Sequence, residues 1–152
     1  MQLFVGLENN VEGRSLAWAL DHPGCFVYGI DGPEALADVP AAFSRYQAWI
    51  AAHTPDSWLA EVKDIDAQLS EVWDVYTIDK EYRRVAEGGY DVNAWFSTDW
   101  WLLTRQEIEL GLKLLEFSRQ DLLAVSRDLP DEVLDRKYPG ERWSIRGVVG
   151  HV

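Results

Sequence analysis

Of the side chains that do metal or nucleophile chemistry, this sequence holds three histidines, His22, His53 and His151, and one cysteine, Cys25. A nitrogen-rich zinc or nickel site needs three or more ligands converging at about 2 Å from the ion. The histidines lie in unlike settings. His22 is beside Pro23 in a turn, His53 ends an amphipathic stretch where an imidazolium suits the negative helix pole, and His151 is at the end of the sequence. Their wide separation argues against one three-histidine centre within these residues. Cys25 follows Gly24 and would be a nucleophile only with a base beside it; nothing orients His22 for that task, so a packed thiol is expected. Glu8, Glu12, Asp21 and Asp31 are of the type used by two-metal nucleases. They are scattered over loops and strand ends, as a solvated surface would have them. No phosphate-binding glycine loop, paired-cysteine motif or nucleophile elbow occurs, and no catalytic or cofactor-binding residue is assigned.

The elements that would position these residues follow from periodicity. Leu3, Val5 and Leu7 alternate before the polar stretch 9–13, and Leu16, Trp18 and Leu20 alternate after it, the pattern of two half-buried strands around a turn. Asp21-His22-Pro23-Gly24 reads as a second turn, and a third strand is expected from Cys25 to Ile30. Asp31-Gly32-Pro33-Glu34 opens a helix. Along it Leu36, Val39, Phe43, Tyr46 and Ile50 share one face, which is expected to pack on Leu16, Trp18 and Leu20. Pro40 lies within that stripe and predicts a kink or restart, and the helix should end near His53-Thr54-Pro55. Residues 58–62, 69–78 and 90–96 read as further strands.

Thr104 opens the longest helical pattern, with Glu107 three residues on completing a capping box and Pro130 stopping it. Ile108, Leu112, Leu115, Leu122, Val125 and Leu129 form one seam, widened by Leu110, Leu114 and Phe117. So broad a face wants more than one neighbour. Trp143 and Ser144 begin a second helix that reaches His151, and its shortness suggests that more chain follows. Residues 104–152 are expected to borrow a partner, either the first module through Trp95, Trp100 and Trp101 or, as favoured, a second copy in a homodimer through the C-terminal helices.

Composition bounds the function. The 152 residues suit one ordinary domain or two small ones. Residues 1–103 carry 6 Lys and Arg against 17 Asp and Glu, so they hold nearly all of the net charge of −12. Such a field repels phosphate backbones and suits a basic protein partner, so no nucleic acid is expected. No apolar run of about 18 residues occurs, so no membrane partner is expected. With one cysteine and no secretory segment, the cytoplasm is the default location. Eight tryptophans require burial or a contact surface, and core packing is the expectation.

Two stretches carry family resemblances. Residues 15–52, with Ser15-Leu16-Ala17-Trp18, His22-Pro23-Gly24-Cys25-Phe26 and Asp31-Gly32-Pro33-Glu34-Ala35-Leu36, resemble the HicB family, within a module of about residues 1–54. The resemblance implies a small sheet flanked by a helix, related in fold to ribonuclease H but generally without its catalysis. In toxin–antitoxin pairs such a module binds a small basic RNA-cleaving toxin; the DNA-binding segment that usually follows it is absent here. Residues 104–152, through the long helix, the Pro130-Asp131 loop and Trp143-Ser144-Ile145-Arg146, look like the start of a DinB-type four-helix bundle. That superfamily binds metal and includes thiol transferases, and the resemblance puts His151 where the first of three metal-binding histidines falls. No cofactor is expected in this chain itself; zinc or nickel would need further ligands.

The expected fold is thus α+β: a small antiparallel sheet with a packed helix over 1–103, extra strands included, then an αα-hairpin over 104–152. The expected function is that of a DinB-type protein, non-catalytic in this form, whose acidic HicB-like N-terminal module serves protein or ligand contacts. The alternatives are a metal-dependent transferase or hydrolase completed by further chain, and an antitoxin-like binder of a basic partner.

Overall fold

The computed structural model describes every residue except Pro55, Gly140, Arg142 and Val152. The chain is α+β and divides into two compact units, Met1–Leu103 and Thr104–Val152.

In the first unit β1 (Gln2–Val11) and β2 (Arg14–Ala19) form a hairpin. Its turn is made by Glu12 and Gly13, with positive φ of 52° and 79°, and Asn10, with φ of 64°, lies in the bulge between Glu8 and Val11. β3 (Phe26–Gly29) pairs antiparallel with β2, after a turn in which His22 N–H donates to Ala19 O and Cys25 N–H to His22 O. Helix α1 (Gly32–His53) then crosses the sheet, and β4 (Asp66–Asp74) returns beside β1 in parallel. The order is β3-β2-β1-β4, so the expected antiparallel set of three gains a parallel fourth strand at its edge.

Asp31 caps α1 by accepting the Glu34 N–H at 2.9 Å. The helix runs unbroken through Pro40, where a kink or restart was expected; Ser44 Oγ donates to the Pro40 carbonyl within the continuous helix. It ends at His53, capped through Thr54 N–H to Ile50 O; the expected stop also named Pro55, which is outside the described residues. Of the expected stripe, Val39, Phe43, Tyr46 and Ile50 are buried and Leu36 is half-buried, while Ala35 and Ala42, not named in it, are buried beside them.

The strand face beneath that stripe is not the expected one. Leu7 approaches Gly32 at the start of α1, and Leu7 pairs with Ala17 while Val5 pairs with Ala19. Directly opposed residues share a face, so Leu3, Val5, Leu7, Ala17 and Ala19 meet the helix. Leu16 pairs with Glu8 and Trp18 with Gly6, and these side chains point away from α1. Both faces of β2 are covered, so its larger side chains did not mark the helix side.

Residues 58–61 form turns where a strand was expected. Their alternation of Trp58, Ala60 and Val62 imitates period two, but Gln47 of α1 donates to the carbonyls of Leu59 and Val62, each at 2.9 Å. Beyond β4 a second sheet follows, β5 (Tyr76–Ile78), β6 (Arg84–Val85) and β7 (Tyr90–Val92), in the order β6-β5-β7. The strand expected over 90–96 therefore stops at Val92, and a 3-10 turn occupies Ser97–Trp100. Trp95, Trp100 and Trp101 are all exposed, against the expectation of core packing.

In the second unit α2 (Arg105–Ser126) begins with the expected capping box: Glu107 N–H donates to Thr104 Oγ1 at 3.3 Å, and Thr104 N–H to Glu107 Oε2 at 2.6 Å. The short helix α3 (Asp131–Leu134) lies in the connection, and α4 (Ile145–His151) starts on Ser144, whose Oγ accepts the Gly147 N–H at 3.1 Å. Arg146 bonds both Asp131 and Asp135, fastening α4 to α3. No helix among the described residues is long and apolar enough to cross a membrane.

Candidate ligand cleft and the histidine helix

The face of the first sheet opposite α1 carries Gly6, Glu8, Leu16, Trp18 and Leu20, and the segment 92–99 covers it. A Cβ placed on Gly6 would lie 2.6 Å from Phe96 Cζ and 2.9 Å from Leu20 Cδ2, so the buried Phe96 ring fills a notch that only glycine leaves open. Three attachments hold the segment down. Trp73 Nε1 donates to Val92 O at 3.2 Å, Ala94 N–H donates to Glu8 Oε1 at 2.6 Å, and Ser97 N–H donates to the Glu71 carboxylate; within the segment Phe96 N–H donates to Asp99 Oδ2 at 2.8 Å.

Between this segment and the 18–24 turn lies a cleft of about 430 Å³, whose walls include Glu8, Trp18, His22, Asn93, Phe96 and Asp99. Glu8 is only 3% exposed, and its second oxygen accepts Trp18 Nε1–H at 3.2 Å. That bond fixes the indole, which also leans on Phe26 with ring centres 5.2 Å apart. His22 stands edge-on to Phe43 at 5.0 Å, the first step of an aromatic ladder along α1 that continues through Tyr46 and Trp49 to His53. Burial holds the His22 pKa below its ordinary 6.5, against the opposing pull of Asp21, so the ring is neutral near pH 7. Among the described residues neither lysine nor arginine lines the cleft.

Of the residues singled out by type, Cys25 is buried and its thiol pKa is pushed up to about 11 by that burial, with Arg45 opposing the shift. It is protonated at neutral pH and a poor nucleophile. Glu12, Asp21 and Asp31 are exposed while Glu8 is interior, so the four carboxylates do not meet at one ion. His53 Nδ1 is 2.9 Å from the Trp49 carbonyl in its own helix. His151 is exposed in the last turn of α4, its ring edge-on to Trp143 at 4.2 Å. Among the described residues no three His, Cys, Asp or Glu side chains group as metal ligands would. The donors present around His151 therefore do not fit a metal centre by themselves. Reading by residue type missed Asn93, Phe96 and Asp99 altogether. Gly6, isolated within an apolar strand, was the available signal of a close approach.

The family model for the DinB superfamily matches residues 114–152. No curated protein and no solved structure matches the chain.

Proposed function

We propose, from the likeness of residues 114–152 to the DinB superfamily, that the protein is a non-catalytic interaction protein that pairs with a second copy through α2. One observation carries this reading: Ile108, Leu112 and Leu115 lie along one line of α2 and are 48%, 60% and 68% exposed. Contiguous apolar surface of this kind marks a contact site on a soluble protein. Two copies related by a two-fold axis would bring two such lines together, the self-complementary arrangement most common among oligomers. The first unit, with its acidic excess and a resemblance to the HicB family over residues 15–52, would then present a surface for a basic protein in the cytoplasm. The buried, protonated Cys25 supports the absence of nucleophilic chemistry there.

Light scattering at micromolar concentration tests the pairing. A dimer that falls to a folded monomer in Leu112→Asp is the expected result, whereas a monomer unchanged by that substitution sinks the reading. A second reading is favoured by His151, which stands exposed in α4 where the family resemblance puts a first metal-binding histidine. It is a metal-dependent transferase or hydrolase whose remaining zinc or nickel ligands come from outside these residues. Metal retained by the tag-free full chain and lost in His151→Ala would favour it.

A further inference from the structure

We infer that the cleft between the 18–24 turn and the 92–99 segment binds a small organic ammonium ion, primary or quaternary. Glu8 lines the cleft and is 3% exposed, and the partners of its carboxylate are two neutral N–H groups, from Trp18 and Ala94. A carboxylate has about four acceptor positions, so lone pairs remain for a ligand. Among the described residues no lysine or arginine forms an ion pair with it, and a buried carboxylate without a cation is costly. A cation entering from solvent supplies the missing charge.

The other walls favour the same class of ligand. Trp18 is held by its bond to Glu8 and Phe96 by the Gly6 notch, so two aromatic side chains of the cleft lining are fixed in place. Aromatic faces attract ammonium groups, tryptophan most strongly. Asp99 adds a second carboxylate at the rim, and its bond to Phe96 N–H sets its position. A volume of about 430 Å³ is in the range of small-molecule sites. Anions meet two carboxylates and no cationic side chain, so phosphate and carboxylate ligands are excluded by charge. This inference concerns the first unit alone and does not depend on pairing through α2.

The test is calorimetric titration of the full chain with choline, with its neutral carbon isostere 3,3-dimethylbutan-1-ol, and with inorganic phosphate. The expected result is saturable choline binding, at least about tenfold weaker binding of the isostere, and none of phosphate. Choline binding should also weaken by about tenfold or more in Glu8→Gln and in Asp99→Asn. Asp99 is exposed, so the second variant decides the matter if the first fails to fold. Equal binding of choline and its isostere, binding unaffected in both variants, or no saturable choline signal up to about 10 mM overturns the inference.

Discussion

Phe96 occupies the space that a side chain on Gly6 would need: an added Cβ would lie 2.6 Å from Cζ and 2.7 Å from Cε1 of the ring. Gly6→Ala should therefore destabilise the first unit by about 1–3 kcal/mol as overpacking. Phe96→Ala should cost about 3–5 kcal/mol as a core truncation. The pair is coupled, so Gly6→Ala should cost less in a Phe96→Leu background than alone. Urea unfolding of the four proteins measures this, and additive losses would show that the two residues do not touch.

The helix stripe makes a separate claim on stability. Phe43 is fully buried between α1 and the sheet, and Phe43→Ala should cost about 3–5 kcal/mol. Chemical denaturation giving less than about 1 kcal/mol would mean the core is misplaced.

Burial of Cys25 makes a kinetic and a thermodynamic prediction. With its pKa raised from 9.0 to about 11, the thiol should react with iodoacetamide at pH 8 far more slowly in the native protein than in urea. The raised folded value stabilises the protein fully below pH 9, and the contribution is lost as pH rises from 9 towards 11. Cys25→Ala should flatten that part of the stability profile, and equal labelling rates in native and denatured protein would count against the burial.

His22 titrates in the opposite sense. Its folded pKa is below 6.5, so the unfolded chain binds more protons and stability falls as pH drops below 6.5 through the folded value. NMR should give His22 a midpoint below 6.5, and His22→Gln should weaken the decline in stability just below that pH. A midpoint at or above 6.5 would contradict the buried setting.

Much of the local structure was legible because it rests on short-range rules. The Thr104 and Glu107 box, the helix start at Asp31-Gly32-Pro33-Glu34, the β1–β2 hairpin and most of the buried stripe of α1 all follow from residues a few positions apart. What escaped depends on contacts made across the chain. The turns at 58–61 are held by Gln47, a residue of the preceding helix, and no local pattern announces that bond. The face of β2 was misjudged because Leu16, Trp18 and Leu20 are covered by a segment roughly 75 residues later in the sequence, while Ala17 and Ala19 let α1 approach closely. The cleft was invisible for the same reason: Glu8 reads as a surface acid until Ala94 and Trp18 are brought to it. Pro40 does not cause a restart, since a proline removes one hydrogen bond while burial of the helix face opposes a break.

The two neighbours of β1 differ in how far they must travel to reach it. β2 and β3 arrive through short turns, whereas Gln2 pairs with Asp66, so β4 can zip on only after α1 has closed a long loop. Loop closure of that length slows folding. The three antiparallel strands should therefore form a nucleus that the parallel edge strand joins late. On the return path, β4 is the strand that frays first, and its amides should exchange with deuterium through partial openings that leave β1–β3 intact.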